Sequence, residues 1–167
     1  MTSLGRIIIL MGVAGAGKTT VGRQLATELG WRFCDGDELH PAKNIDKMSR
    51  GIPLYDEDRR PWLERIRQAI AEWIASGENV ILACSVLRER YRAMVLESHR
   101  NRVQIVYLKA SPALLKQRLI SRTGHFMGEV LLTSQLEILE EPADALVLDA
   151  ADPPARLLQQ IRVAFKI

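Results

Sequence analysis

Aromatic residues are scarce in this chain, with Phe, Trp and Tyr together making up 5% of its 167 residues. Cysteine is scarcer, at two residues, too few for the disulfide frameworks that staple small secreted domains. Cys34 and Cys84 each end an apolar run and are read as buried free thiols of a reducing compartment. No Cys/His cluster has zinc-site spacing. Long apolar runs are missing too: none approaches the roughly 20 residues of a membrane helix, and the N-terminal stretch has no signal-peptide h-region with a cleavage site. A cytoplasmic protein without membrane contact is therefore expected. Nor is there a strong charge excess, since 23 Lys and Arg face 20 Asp and Glu for a net charge of +3. The arginines are scattered among acidic residues rather than gathered into a basic stripe or tail, which argues against a nucleic-acid partner.

What is present is an ordinary globular composition, 47% hydrophobic and 26% charged, in a length suited to one domain spanning 1–167. The most informative stretch is Gly12-Val13-Ala14-Gly15-Ala16-Gly17-Lys18-Thr19, a full match to the phosphate-binding pattern GxxxxGK[ST]. Its context fits. Arg6 to Met11 is an apolar β-branched run that predicts a buried strand, and Val21 to Leu29 has helical apolar spacing ending at Gly30, a suitable C-cap. The three glycines let backbone N–H groups turn inward toward phosphate oxygens, and the helix beginning near Lys18 adds its positive end. Lys18 can reach β- and γ-phosphates and the Thr19 hydroxyl can join a Mg²⁺ shell. A nucleoside triphosphate ligand follows.

Trp31 to Cys34 reads as a second strand running into Asp35-Gly36-Asp37. Alternation along a strand puts Asp35 and Asp37 on one side of its carboxyl end, where ligands of parallel sheets bind. Two carboxylates there can divide metal holding from proton acceptance. A short helix is expected over His40 to Ser49, with His40, Asn44 and Lys47 sharing a polar face that can line a pocket for a polyhydroxylated ligand or lie in solvent. Asp56-Glu57-Asp58 supplies acidic residues for the start of a longer helix, whose apolar positions from Arg59 through Ala75, Trp62, Leu63, Ile66, Ile70, Trp73 and Ile74, are core, with Arg59 and Arg60 free to face a ligand. Asn79 to Cys84 predicts a third strand, ending at Ser85, followed by a helix carrying Arg88, Arg90, Tyr91 and Arg92. Val103 to Leu108 predicts a fourth strand. Next come a helix with Arg118 and Arg122, a polar break over 123–128 containing His125, and a helix from Val130 to Leu139. Ala145 to Asp149 gives a fifth strand and Pro154 to Phe165 a closing helix. The alternation predicts an α/β fold with a parallel sheet covered on both faces.

Beyond the phosphate loop, several blocks closely resemble the gluconate kinases. They are Asp35-Gly36-Asp37-Glu38-Leu39-His40-Pro41, Asn44, Lys47-Met48, Gly51, Pro53-Leu54, and Asp58-Arg59 with Pro61-Trp62-Leu63. Cys84-Ser85-Val86-Leu87-Arg88, Tyr91-Arg92, Gly124-His125-Phe126-Met127, Ser134-Gln135 and Leu139-Glu140-Glu141-Pro142 continue the likeness across nearly the whole chain. The resemblance implies a three-layer P-loop kinase fold with a five-stranded sheet in the order 2-3-1-4-5, a lid at about 119–136, and commonly a homodimer. It implies ATP-dependent phosphorylation of D-gluconate at the 6-hydroxyl, with Mg²⁺. On that basis Gly12, Val13, Ala14, Gly15, Ala16, Gly17, Lys18, Thr19 and Thr20 hold ATP, with Thr19 on the metal directly and Asp35 through a bound water. Asp37 orients and deprotonates the acceptor, as in the related shikimate kinases, and Arg59 takes the gluconate carboxylate with Arg88 in reserve. His40, Asn44, Lys47 and Ser85 complete the acceptor site, while Arg118, Arg122 and His125 serve the lid and the transferred phosphoryl group. Gly128, where the family usually has proline, and Tyr55, where it often has Asn or Thr, depart from the pattern. The rivals are kinases of other small hydroxylated acids (another aldonic acid or shikimate), nucleoside monophosphate kinases, and a nucleotide-dependent switch.

Overall fold

The five residues of β1, Ile7–Met11, are all at most 1% exposed. Fully burying such side chains contributes about 1.5–3 kcal/mol each, so this strand is where the sheet is anchored. A computed structural model describes residues 3–123 and 126–167 of the chain. β1 is followed by α1 (Lys18–Leu29), β2 (Arg32–Asp35), a 3₁₀ turn (Gly36–Leu39), α2 (Ala42–Ser49) and α3 (Asp56–Ser76). β3 (Val80–Ala83), α4 (Glu89–Leu96), β4 (Val103–Lys109), α5 (Pro112–Thr123), α6 (Phe126–Ile138), β5 (Leu146–Asp149) and α7 (Pro154–Phe165) complete the order.

The strands form one five-stranded sheet in the order β2-β3-β1-β4-β5, every pairing parallel. This is the topology the resemblance implies. Alternation along β1 feeds both layers of core. Ile7, Ile9 and Met11 join Trp62, Leu63, Ile66 and Ile70 of α3 and Tyr91 and Val95 of α4. Ile8 and Leu10 join Val21 and Leu25 of α1, Leu115 of α5, Leu132 of α6 and Leu157, Leu158 and Ile161 of α7.

Element boundaries move modestly from the sequence expectation. α3 begins at Asp56, at the acidic Asp56-Glu57-Asp58 start expected of it, and Asp58 caps it by accepting the Tyr55 N–H through Oδ2 at 3.0 Å. α6 begins at Phe126, so part of the stretch expected as a polar break is helical. Gly128 lies in its first turn, where a Cβ would meet Leu119 Cδ1 of α5 at 3.0 Å, so the missing side chain lets the two helices approach closely.

Register sets the site. Asp35 pairs with Ala83, and Ala83 with Leu10, so β2, β3 and β1 end level with one another. The Asp35 turn, Ser85 and the glycine-rich loop therefore emerge together at the carboxyl rim, where parallel sheets bind ligands.

Candidate active site

The glycine-rich loop leaves β1 with Gly15 at φ 86° and Gly17 at φ 102°, backbone conformations that a side chain would strain. Gly17 is also the N-cap of α1, and no side chain caps that end. The first N–H groups of the helix are thus left for an anion. Lys18 folds back over the loop, donating from Nζ to the carbonyls of Gly12 at 2.8 Å and Val13 at 3.1 Å. Burial lowers its pKa from the ordinary lysine value, and the nearby carboxylates of Asp37 and Asp35 oppose that shift. Arg118 of α5 braces the outside of the loop, donating to the carbonyls of Gly15 at 3.0 Å, Ala16 at 3.2 Å and Ala150 at 2.6 Å. With Thr20 it lines a cavity of about 110 Å³ between the loop and the end of β5. Thr19 is exposed in the first turn of α1.

Across the rim, the two aspartates converge by a route other than strand alternation. β2 stops at Asp35, whose Oδ1 accepts the Asp37 N–H at 3.0 Å and caps the 3₁₀ turn. The turn, not the pleat, aims Asp37 at the loop. Enclosure in the cleft raises the Asp37 carboxyl above the usual aspartate value, and the charge of Asp35 adds to this, while Lys18 pulls it down. Trp62 Nε1 donates to the Gly36 carbonyl at 2.8 Å and so fixes the same turn from α3.

Lys18, Asp37, His40, Arg59 and Ser85 line one pocket of about 110 Å³ with Ala14, Trp62 and Gln135. A wider cleft of about 1130 Å³ shares Pro53, Leu54, Arg59 and Ser134 with it and adds Arg88, Arg90 and Tyr55. Arg59 is held in place by Tyr91, its guanidinium 5.6 Å from the ring centroid and Nη1 donating to the phenol oxygen at 3.4 Å. The Tyr91 hydroxyl in turn donates to Asp56, which also pairs with Arg90.

Asn44 and Lys47 do not line the pocket as their shared face with His40 led one to expect. Asn44 is wholly buried and donates from Nδ2 to the Asp58 carbonyl at 2.7 Å, and Lys47 Nζ pairs with the Asp58 carboxylate at 2.9 Å. That face of α2 is turned onto the start of α3, and of the three residues it is His40, two positions before the helix, that lines the cavity. Arg122 falls in the last turn of α5, and His125 lies outside the described residues.

Two site residues escaped sequence reasoning. Trp62 was assigned to the core by its spacing, yet it also forms a pocket wall. Gln135 of α6 accepts the Ala14 N–H through Oε1 at 2.7 Å, tying α6 to the phosphate loop. The only sequence signal for Gln135 was the Ser134-Gln135 block of the family resemblance.

Among the described residues no group of three or more His, Cys, Asp or Glu could hold a metal by itself. Mg²⁺ keeps several waters and is commonly held by one or two protein oxygens plus substrate phosphates. The Thr19 hydroxyl and the Asp35 carboxylate, which keeps Oδ2 outside the turn, are donors of that type.

The family model described as an AAA domain matches residues 7–142. The thermosensitive gluconokinase of Escherichia coli strain K12 is 43% identical over 164 residues, covering 96% of this chain and 87% of that protein. A gluconokinase structure from Sinorhizobium meliloti 1021 superposes with a TM-score of 0.82 at 41% identity, covering 99% of this chain and 97% of that one. An unliganded sugar kinase from Janibacter sp. HTCC2649 superposes at 0.89 with 38% identity, covering 98% and 95%.

Proposed function

The chain belongs to the gluconokinase family, and from that premise we propose how its own residues carry out ATP-dependent phosphorylation of D-gluconate at the 6-hydroxyl. The observation that carries the reading is the convergence of Lys18, Asp37, His40 and Arg59 on one pocket beside the phosphate loop. Phosphoryl transfer asks chiefly for positioning and charge neutralisation. The loop N–H groups and Lys18 receive the ATP phosphates, and Lys18 exchanges its Gly12 and Val13 carbonyl contacts for phosphate oxygens. Thr19 and Asp35 would hold Mg²⁺, which would supply neutralisation of the charge on the transferring phosphates.

Arg59, backed by Arg88, pairs with the gluconate carboxylate, since a guanidinium can do so bidentately. Asp37 aligns the 6-hydroxyl and accepts its proton. As the hydroxyl oxygen bonds to the γ-phosphorus, the bond from that phosphorus to the β–γ bridging oxygen breaks and ADP keeps the electron pair. Arg118, Arg122 and His125 are assigned to the lid and the transferred group. Arg118 is the best supported of these, because it already braces the loop.

The whole chain, 1–167, is read as one catalytic domain with 119–136 as its lid, supported by the single sheet that carries both halves of the site. The buried free thiols of Cys34 and Cys84 support a reducing, cytoplasmic setting. The homodimer rests on the family resemblance and is checked by light scattering.

The test is ADP release from ATP and Mg²⁺ across gluconate, other aldonic acids, shikimate, glycerate, nucleoside monophosphates and no acceptor. A large gluconate-dependent rate over a low background is expected. A larger rate with another acceptor, or none above background, would overturn the assignment.

A further inference from the structure

We propose that Asn44 is a positioning residue that fixes His40 as its Nε2–H tautomer, so that the imidazole offers the acceptor a neutral hydrogen-bond donor beside Asp37 and Arg59. The inference rests on the gluconokinase reading for the ligand's identity, though not for the tautomer.

The Asp58 carbonyl can only accept a hydrogen bond. It lies 2.7 Å from the Asn44 amide, so the group facing it is Nδ2 and not Oδ1. The same NH₂ lies 3.1 Å from His40 Nδ1. Two donors cannot share a hydrogen bond, so Nδ1 presents its lone pair to Asn44 and the single proton of the neutral ring sits on Nε2. Asn44 lies outside the pocket lining while His40 is part of it, which leaves Nε2 as the nitrogen for a ligand. Among the described residues Nε2 has no protein partner.

The ring is fixed in plane as well as in rotation. His40 stacks on Trp62 with centroids 4.3 Å apart and an interplanar angle of 11°. Trp62 is anchored to the Gly36 carbonyl, so the ring and the Asp37 turn share one support. Burial and the Arg59 charge also hold the imidazole neutral, lowering its pKa to about 4. A third cation near Lys18 and Arg59 would repel both, whereas a neutral donor does not.

Asn44 Oδ1 is buried and has no partner among the described residues. An apolar side chain of similar volume would fill this space without stranding an oxygen, so packing alone does not account for asparagine here. The two donations from Nδ2 do.

Long-range ¹H–¹⁵N spectra of the ligand-free enzyme at neutral pH, labelled at histidine nitrogens, read the tautomer directly. His40 is expected to show an unprotonated Nδ1 and a protonated Nε2. A protonated Nδ1 or an even mixture would overturn the proposal, whatever the acceptor proves to be. Asn44→Asp replaces the donor with an acceptor and should raise the KM for gluconate roughly tenfold or more, as expected for a lost oriented hydrogen bond, with the KM for ATP nearly unchanged. An unchanged gluconate KM in a folded Asn44→Asp enzyme would refute the positioning role. Should that variant fail to fold, His40→Gln and His40→Phe replace it. Glutamine keeps a donor near the Nε2 position, so its gluconate KM should lie well below that of the phenylalanine variant, and equal values would count against the proposal. Failure of the gluconokinase reading is recognised separately, as a tautomer that holds in an enzyme that ignores gluconate.

Discussion

At the residue scale, Asp37 stands between Asp35 and Lys18, whose charges push its pKa in opposite directions. Enclosure and the Asp35 charge raise its pKa, so its carboxylate forms at a higher pH than an ordinary aspartate's. With the carboxylate in its proposed role as proton acceptor, kcat/KM should fall as pH drops through this raised value, with the acid limb displaced upward from 3.8. Asp37→Asn should remove that limb and lower kcat by about 10²-fold or more while ATP still binds. A variant with unaltered kcat would assign the proton elsewhere. Arg59 makes a sharper discrimination. Arg59→Ala should weaken gluconate far more than a neutral sugar alcohol, measured as the ratio of their kcat/KM values, and an equal loss for both would remove the carboxylate assignment. Both residues were legible in the sequence because each sits in a distinctive block. Gln135 sits in the Ser134-Gln135 block, but a glutamine on a helix carries no sign that its side chain will meet a loop N–H 121 positions away.

At the scale of elements, the α2–α3 corner supports the side of the pocket lined by His40 and Arg59. Asp58 binds the Tyr55 N–H, Lys47 and, through its carbonyl, Asn44. The Tyr55 N–H and then Lys47 hold its carboxyl below the usual aspartate value. The sign follows: its contribution to stability is present above the ordinary value of 3.8 and is lost as pH falls through the lower folded value. Asp58→Ala should therefore cost about 1–3 kcal/mol in urea unfolding at pH 7, with the gap to wild type closing in strong acid. An undiminished gap in acid would point to packing and not to charge. The polar face of α2 was visible in its spacing, but its direction was not. Whether three polar side chains one turn apart face solvent, a ligand or another helix depends on what packs against them, and here the first turn of α3 does.

For the whole molecule, the sheet and the site share β1. Ile9→Ala should cost about 2–5 kcal/mol in global unfolding, since a strand buried on both faces has little room to collapse around the cavity. ATP with Mg²⁺ at a hundred times its Kd should add about 2.7 kcal/mol to the unfolding free energy, and Lys18→Ala should lose most of that increment. Ile9→Ala should keep the increment although its baseline is lower; losing it would show that the loop depends on core packing more than on its own chemistry. The sequence by itself determined the phosphate loop, the alternation of strands and helices and the aspartates of the 35–37 turn, because these depend on contiguous residue types and local periodicity. The tertiary structure decided which arginines face the cleft. Arg88 lines it, whereas Arg92, one turn on, is buried with its guanidinium on the carbonyls of Val86 and Glu140. It also decided that Asn44 grips a histidine instead of a substrate. Such outcomes depend on helix phase against distant segments, and the chemical identity of a side chain does not contain that information.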